Sequence, residues 1–174
     1  MRIIAGEHRG RRIAVPARPG VRPTPDRVRE TLFNWLGQRL DGLACLDLFA
    51  GSGALGFEAA SRGAVRVVLV EQDREAFQAL LRTKELLRMT QAEIVHEDAF
   101  AYLRRASGEF DLVFLDPPFR QNALGAALEA VASRVVRQGR LYVEAPEPVD
   151  PGVRWHELRR SRAGQVSYQL LERR

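Results

Sequence analysis

Between Leu43 and Glu144 short apolar runs alternate with amphipathic stretches, and this alternation restricts the fold more than any other feature of the chain. Residues 43–49, 65–71, 92–95, 110–115 and 140–144 read as strands. The apolar runs among them suit a parallel sheet covered on both faces. Helices are expected between them, over 54–62, 73–88, 99–105 and from about 122. Phe77, Leu80, Leu81 and Leu87 give the second of these an apolar side. Leu124, Leu128, Val131 and Val135 do the same for the last, with Gly139 expected as its C-terminal cap. Such an order specifies an α/β fold with a doubly wound, mostly parallel, Rossmann-like sheet. The chain then changes character. Residues 153–160 and 165–172 alternate apolar with polar, Val166, Tyr168 and Leu170 sharing one face and Gly164 lying in the turn, so a C-terminal antiparallel hairpin should join the sheet's edge.

The first 40 residues form an N-terminal extension, and 41–174 the main domain. Residues 2–15 read as two short strands around Gly6–Gly10, and 16–25 as a stiff linker with four prolines. Thr24 is expected to cap a helix with Pro25 at its first position, running to about Arg39. Val28, Leu32, Trp35, Leu36 and Leu40 would be its apolar face. Charge sets this region apart. The whole chain carries +5, yet residues 1–40 hold nine arginines against three acids, +6, leaving −1 for the remainder. A compositional preference for arginine explains why Lys84 is the only lysine, but not why the excess sits at one end. An arginine-dense arm on a near-neutral body is the electrostatic footprint of a phosphate-backbone partner. Arg9, Arg11, Arg12, Arg22 and Arg27 are the candidate contacts to such a nucleic-acid backbone.

Other classes are excluded by what the chain contains. A lone Cys45 inside an apolar run permits no internal disulfide and reads as a core thiol. His8, His96 and His156 are scattered at no metal-ligand spacing, so no metal is expected. No apolar run is long enough to span a bilayer, and Met1–Ile4 is no signal peptide, so a cytoplasmic, monomeric protein is the expectation.

Gly51-Ser52-Gly53-Ala54-Leu55-Gly56 matches G-x-G-x-x-G between a strand and a helix, and Glu71 follows at the end of the next strand. That spacing suits a carboxylate gripping ribose hydroxyls. Asp47, just before the loop, would repel a pyrophosphate. S-adenosylmethionine has a ribose, no phosphate, an ammonium and a cationic sulfur, so an acid there attracts it. Asp98, after the third strand, could accept from the adenine amine; helix capping is the plainer role for Glu71 and Asp98. Asp116-Pro117-Pro118-Phe119 ends the fourth strand. Two prolines remove two donors and fix φ, leaving a carboxylate, free carbonyls and a flat ring, a shelf for a planar exocyclic amine. Asp47, Glu71, Asp98 and Asp116 all fall at carboxyl ends of expected parallel strands, the edge where doubly wound folds bind ligands.

These motifs resemble the class I S-adenosylmethionine-dependent methyltransferases, and in detail the RsmD family, which methylates N2 of a guanine in 16S ribosomal RNA. Residues Arg22 to Leu36 are similar to that family's N-terminal signature, Leu46 to Gly56 to its cofactor loop, Asp116 to Phe119 to its catalytic motif, and Gly164 to Tyr168 to its closing strand. The resemblance implies that Gly51 and Gly53 let the backbone approach the methionine part of the cofactor, that Glu71 holds the ribose and Asp98 with Ala99 the adenine, and that Asp47 and Phe49 also belong to the cofactor site. Asp116 and the Pro117 carbonyl would hold the guanine amine while Phe119 stacks on the base. It also implies 16S rRNA as partner, within small-subunit particles. Alternative readings are adenine-N6 methylation of DNA or RNA, glutamine methylation of protein, and a catalytically silent RNA-binding module.

Overall fold

Strand β1 (Ala44–Asp47) lies inside the sheet, in parallel with β2 (Arg66–Glu71) on one side and β4 (Phe110–Leu115) on the other. The structure, a computed structural model, describes residues 1–15, 24–117 and 123–174. β3 (Ala92–His96) extends the sheet beyond β2, and β5 (Val135–Ala145) beyond β4. The closing hairpin, β6 (Trp155–Ala163) and β7 (Val166–Arg173), adds two antiparallel strands. The order is β3-β2-β1-β4-β5-β7-β6, so β7 inserts beside β5 and β6 is the edge. The direction of winding reverses between β1 and β4, the place where such sheets open a crevice.

Register decides which residues share a face. Asp47 pairs with Leu69 and with Phe114, Phe114 with Tyr142, and Tyr142 with Leu170. Side chains alternate across a strand, so all of these lie on one side of the sheet. That side is covered by α1 (Asp26–Leu36), α2 (Ala54–Ser61) and α3 (Arg74–Leu87), through Leu32, Phe33, Leu55, Phe57 and Leu80. Ile3 and Ile13 of the N-terminal segment are buried in the same cluster. Leu46, Val68, Val113 and Leu141 face the other way, onto α4 (Ala99–Arg105) and α5 (Ala123–Ala132) through Leu103 and Val131. No helix among the described residues is long and apolar enough to cross a membrane.

Three expectations need correction. Helix α1 ends at Leu36 rather than Arg39, because Gly37 turns left-handed (φ 97°) and its N–H reaches the Phe33 carbonyl at 3.1 Å. Pro25 occupies the cap position without a side-chain bond, and the Thr24 hydroxyl instead donates to Glu144 at 3.4 Å. Gly139 caps no helix. Helix α5 stops at Ala132, and β-branched Val135 and Val136 already belong to β5. The register jumps there from Phe110–Val135 to Leu112–Arg140, with Gln138 at φ 61°. A Cβ at Gly139 would lie 2.7 Å from Val135 Cγ1, so this glycine serves a tight bulge in the strand. The N-terminal segment is hairpin-like as expected, but regular pairing is confined to one bridge, Arg2 with Arg12. The expected linker lies largely outside the described residues.

A buried ionic cluster ties that segment down. The Glu58 carboxylate of α2 accepts from the backbone N–H of Ile4 (2.8 Å) and Ala5 (3.0 Å) and from Arg62 Nε (2.8 Å). Arg29, wholly buried, reaches Glu58 at 3.4 Å, Asp26 at 2.6 Å and the Arg2 carbonyl at 3.0 Å. Arg62 also lies over the Phe33 ring, 4.4 Å from its centroid. One carboxylate therefore joins the first residues, α1 and α2. Replacing Glu58 with Ala leaves buried Arg62 without its carboxylate and Arg29 with Asp26 as its remaining acidic partner, and removing one member of such a buried cluster costs about 3–5 kcal/mol. Urea unfolding should show a loss of this size, with earlier proteolysis at residues 1–15. A loss under about 1 kcal/mol would mean that the cluster does not hold the segment.

Candidate active site

Four carboxylates stand at the carboxyl ends of four adjacent parallel strands: Glu71 on β2, Asp47 on β1, Asp116 just past β4 and Glu144 on β5. Register and alternation put them on one face. Glu71 is two residues beyond Leu69, Asp116 two beyond Phe114 and Glu144 two beyond Tyr142. No arginine or lysine among the described residues forms an ion pair with any of them.

The loop from Ala50 to Gly53 is built to fit between them. Leu48 N–H bonds Phe114 O (3.1 Å) and Ala50 N–H bonds Val70 O (3.0 Å), so the backbone leaves β1 still pinned to both neighbours. Gly51 and Gly53 then turn left-handed at φ 53° and 77°. A Cβ on Gly53 would lie 2.5 Å from the Phe57 ring, so only glycine gives this turn and this packing together. At Gly56 a Cβ would meet Leu69 at 2.7 Å and Asp47 Oδ2 at 3.1 Å. Its absence lets Gly56 N–H donate to Asp47 at 2.9 Å.

Each carboxylate is set differently. Asp47 is buried, and burial pushes its carboxyl up to about 7; the Gly56 bond opposes this, while Glu71 and Glu144 add to it. Glu71 is half-buried. Its oxygens accept from Gly51 N–H (2.8 Å) and Asp73 N–H (2.7 Å), fastening the glycine loop to the end of β2. Asp116 is raised well above the ordinary carboxylate range by burial, then by Glu144 and Asp47. Glu144 is raised by burial against two opposing donors, Tyr142 (2.8 Å) and Thr24 (3.4 Å).

The other anticipated residues fall as follows. Asp98 is exposed and caps α4 through Ala101 N–H at 2.9 Å, the plainer of its two expected roles. Ala99 is buried in the first turn of that helix and Phe49 is half-buried beside the same core. Pro117 is buried next to Asp116. Phe119 and Arg22 lie outside the described residues. Arg9, Arg11, Arg12 and Arg27 are exposed with no acidic partner among the described residues. Sequence reasoning missed Glu144 and Thr24. Their available signal was an acid closing an otherwise apolar strand, two residues after a tyrosine.

Ionising Asp47 in the folded protein is unfavourable, which gives stability a sign with pH. Its folded value of about 7 exceeds the ordinary 3.8, so stability is complete at low pH and declines as pH rises towards 7. Asp47→Asn keeps an acceptor for Gly56 and cannot ionise. It should match the parent near pH 4 and exceed it by up to about 4 kcal/mol at pH 8, at ~1.4 kcal/mol per unit. Urea unfolding at the two pH values checks this; a gain independent of pH would contradict the burial argument.

Comparison with known proteins matches residues 1–172 to the family described as conserved hypothetical protein 95. Ribosomal RNA small subunit methyltransferase D of Escherichia coli (strain K12) is 41% identical over 179 aligned positions, covering 99% of this chain and 90% of that protein. The protein of the same name from Haemophilus influenzae is 39% identical, covering 99% and 93%. Among solved structures, yhhF of Escherichia coli superposes with a TM-score of 0.91 at 40% identity, covering 99% of this chain and 97% of that one. The architecture is that of the class I methyltransferases.

Proposed function

This chain belongs to the family described as conserved hypothetical protein 95, the RsmD family, and on that footing we propose that it methylates N2 of a guanine in small-subunit ribosomal RNA, using S-adenosylmethionine. One observation carries the reading: a glycine loop set among four carboxylates that no described basic group neutralises. A pyrophosphate would be repelled by this rim, and a cationic nucleoside would be attracted. The name of the Escherichia coli relative supplies the substrate class.

The residues present fit such a ligand. Asp47 takes the charge of the ammonium end, Gly51 and Gly53 leave backbone room, Glu71 accepts from ribose hydroxyls, and Asp98 with Ala99 borders the adenine. When bound, the sulfonium supplies an electrophilic methyl group. The chain's own part is to make a poor nucleophile adequate. A guanine amine is planar because its lone pair is delocalised into the ring. Asp116 and the Pro117 carbonyl accept its two hydrogens and draw the nitrogen towards a tetrahedral shape. Phe119 is assigned the stacking face. Holding the amine in a single orientation removes several kcal/mol of barrier. The carboxylates also favour positive charge growing on nitrogen. The guanine must be unstacked to reach the shelf, so an RNA loop is the expected target. Arg9, Arg11, Arg12, Arg22 and Arg27 are assigned to its flanking phosphates.

Incubation of the protein with labelled S-adenosylmethionine and small-subunit particles lacking the modification, followed by nucleoside analysis, should yield N2-methylguanosine. Labelled N6-methyladenosine, or no label, would overturn the reading. Asp116→Ala should lower turnover at least ~100-fold while cofactor affinity stays within about threefold. The triple change of Arg9, Arg11 and Arg12 to Ala should leave cofactor binding intact and flatten the salt dependence of RNA binding by about two to three phosphate contacts. An unchanged slope would remove these arginines from the RNA surface.

A further inference from the structure

Asp116 and Glu144 begin the rim side by side. Leu115 and Val143 are paired in register, so the next residue of each strand is Asp116 and Glu144, on the face shared with Phe114 and Tyr142. Their surroundings differ. Glu144 Oε1 receives two hydroxyl donors, Tyr142 at 2.8 Å and Thr24 at 3.4 Å, whereas Asp116 receives none among the described residues. Donors favour the ionised form. Of the two adjacent carboxyls, Glu144 is therefore the better placed to carry the negative charge and Asp116 the better placed to hold a proton. Among the described residues, the titratable groups facing the pair are Asp47 from β1, Tyr142 on β5 and Tyr168 on β7, with Glu71 beyond Asp47. No arginine or lysine among the described residues intervenes as an ion-pair partner.

Methylating an amine leaves a proton to remove. Resting on the function read above, we propose that Glu144 is the positioning partner through which Asp116 disposes of the amine proton. The amine hydrogen-bonds to the carbonyl oxygen of the protonated Asp116, whose O–H donates to Glu144. As the nitrogen lone pair becomes the N–C bond, the C–S pair stays with sulfur. One N–H proton passes to Asp116, its electron pair remaining on nitrogen, and the proton already on Asp116 passes to Glu144. The pair ends with two protons, and one is lost to water when product leaves. Thr24 extends this role to the N-terminal signature, because its hydroxyl reaches Glu144 from just before α1.

Glu144→Gln separates this relay from a packing role by two opposite shifts. Without a charged neighbour Asp116 should ionise at lower pH, read in the free protein from its carboxyl 13C resonance. The acid limb of single-turnover methylation should move to higher pH, because Asp116 must then ionise to accept the proton, whereas the parent loses activity only when Glu144 takes its proton. Tyr142→Phe removes a donor from Glu144 and should also move the parent's acid limb upward. It stands in if Glu144→Gln does not fold. An unchanged Asp116 titration in Glu144→Gln, or an unmoved limb in both variants, overturns the proposal. The titration needs no substrate, so it judges the pair even if the parent fails to methylate guanine, which would count against the proposed function instead.

Discussion

Carboxyl groups gathered at one edge of the sheet, each opposing its neighbours' ionisation, govern this molecule. Parallel pairing aligns the ends of β2, β1, β4 and β5, and alternation turns Glu71, Asp47, Asp116 and Glu144 to the same side. A structure selected only for stability would not keep such a row, since Asp47 and Glu144 are buried with no basic partner among the described residues, and that is unfavourable. Asp47 holds its proton up to about pH 7 for this reason. Among the described residues the rim is electrostatically unfinished, since no basic side chain pairs with it, and this is the ground for proposing a cationic ligand there.

The same constraint explains how the first residues relate to the loop. Helix α2 begins at the glycine loop, offers Gly56 N–H to Asp47 within its first turn, and two residues later carries Glu58. Loop and N-terminal segment are held by opposite faces of one eight-residue helix. Residues 1–15 are accordingly no loose tail. Arg29, one of the nine arginines among residues 1–40, is spent inside the protein on Asp26 and Glu58, while Arg9, Arg11 and Arg12 remain outward. Net charge alone could not separate these two uses of arginine.

Much of the architecture was legible in the chain. The spans of β4 and α4 coincide with their apolar runs, and α3 with its capping residues Asp73 and Arg88, because each is bounded by a local signal. Local signals failed where tertiary contacts decide. Gly139 has the look of a helix end, but pairing of Val135 with Phe110 draws the segment into β5. Thr24 has the sequence of a cap, but Glu144 lies 120 residues away in the chain and takes its hydroxyl. Glu144 itself was invisible as a site residue, since it belongs to no motif and gains meaning only when β5 is laid beside β4. That Asp47, Glu71 and Asp116 share one edge was legible because strand ends could be read from composition and their common rim from the fold.

Calorimetric titration of the protein with S-adenosylmethionine between pH 6 and 8, in buffers of different ionisation enthalpy, tests the unfinished rim most directly. Cation binding should favour the ionised carboxyls, so protons should be released near pH 7 and affinity should climb as pH rises through that range. Binding with no proton release and a flat affinity across the range would contradict the account.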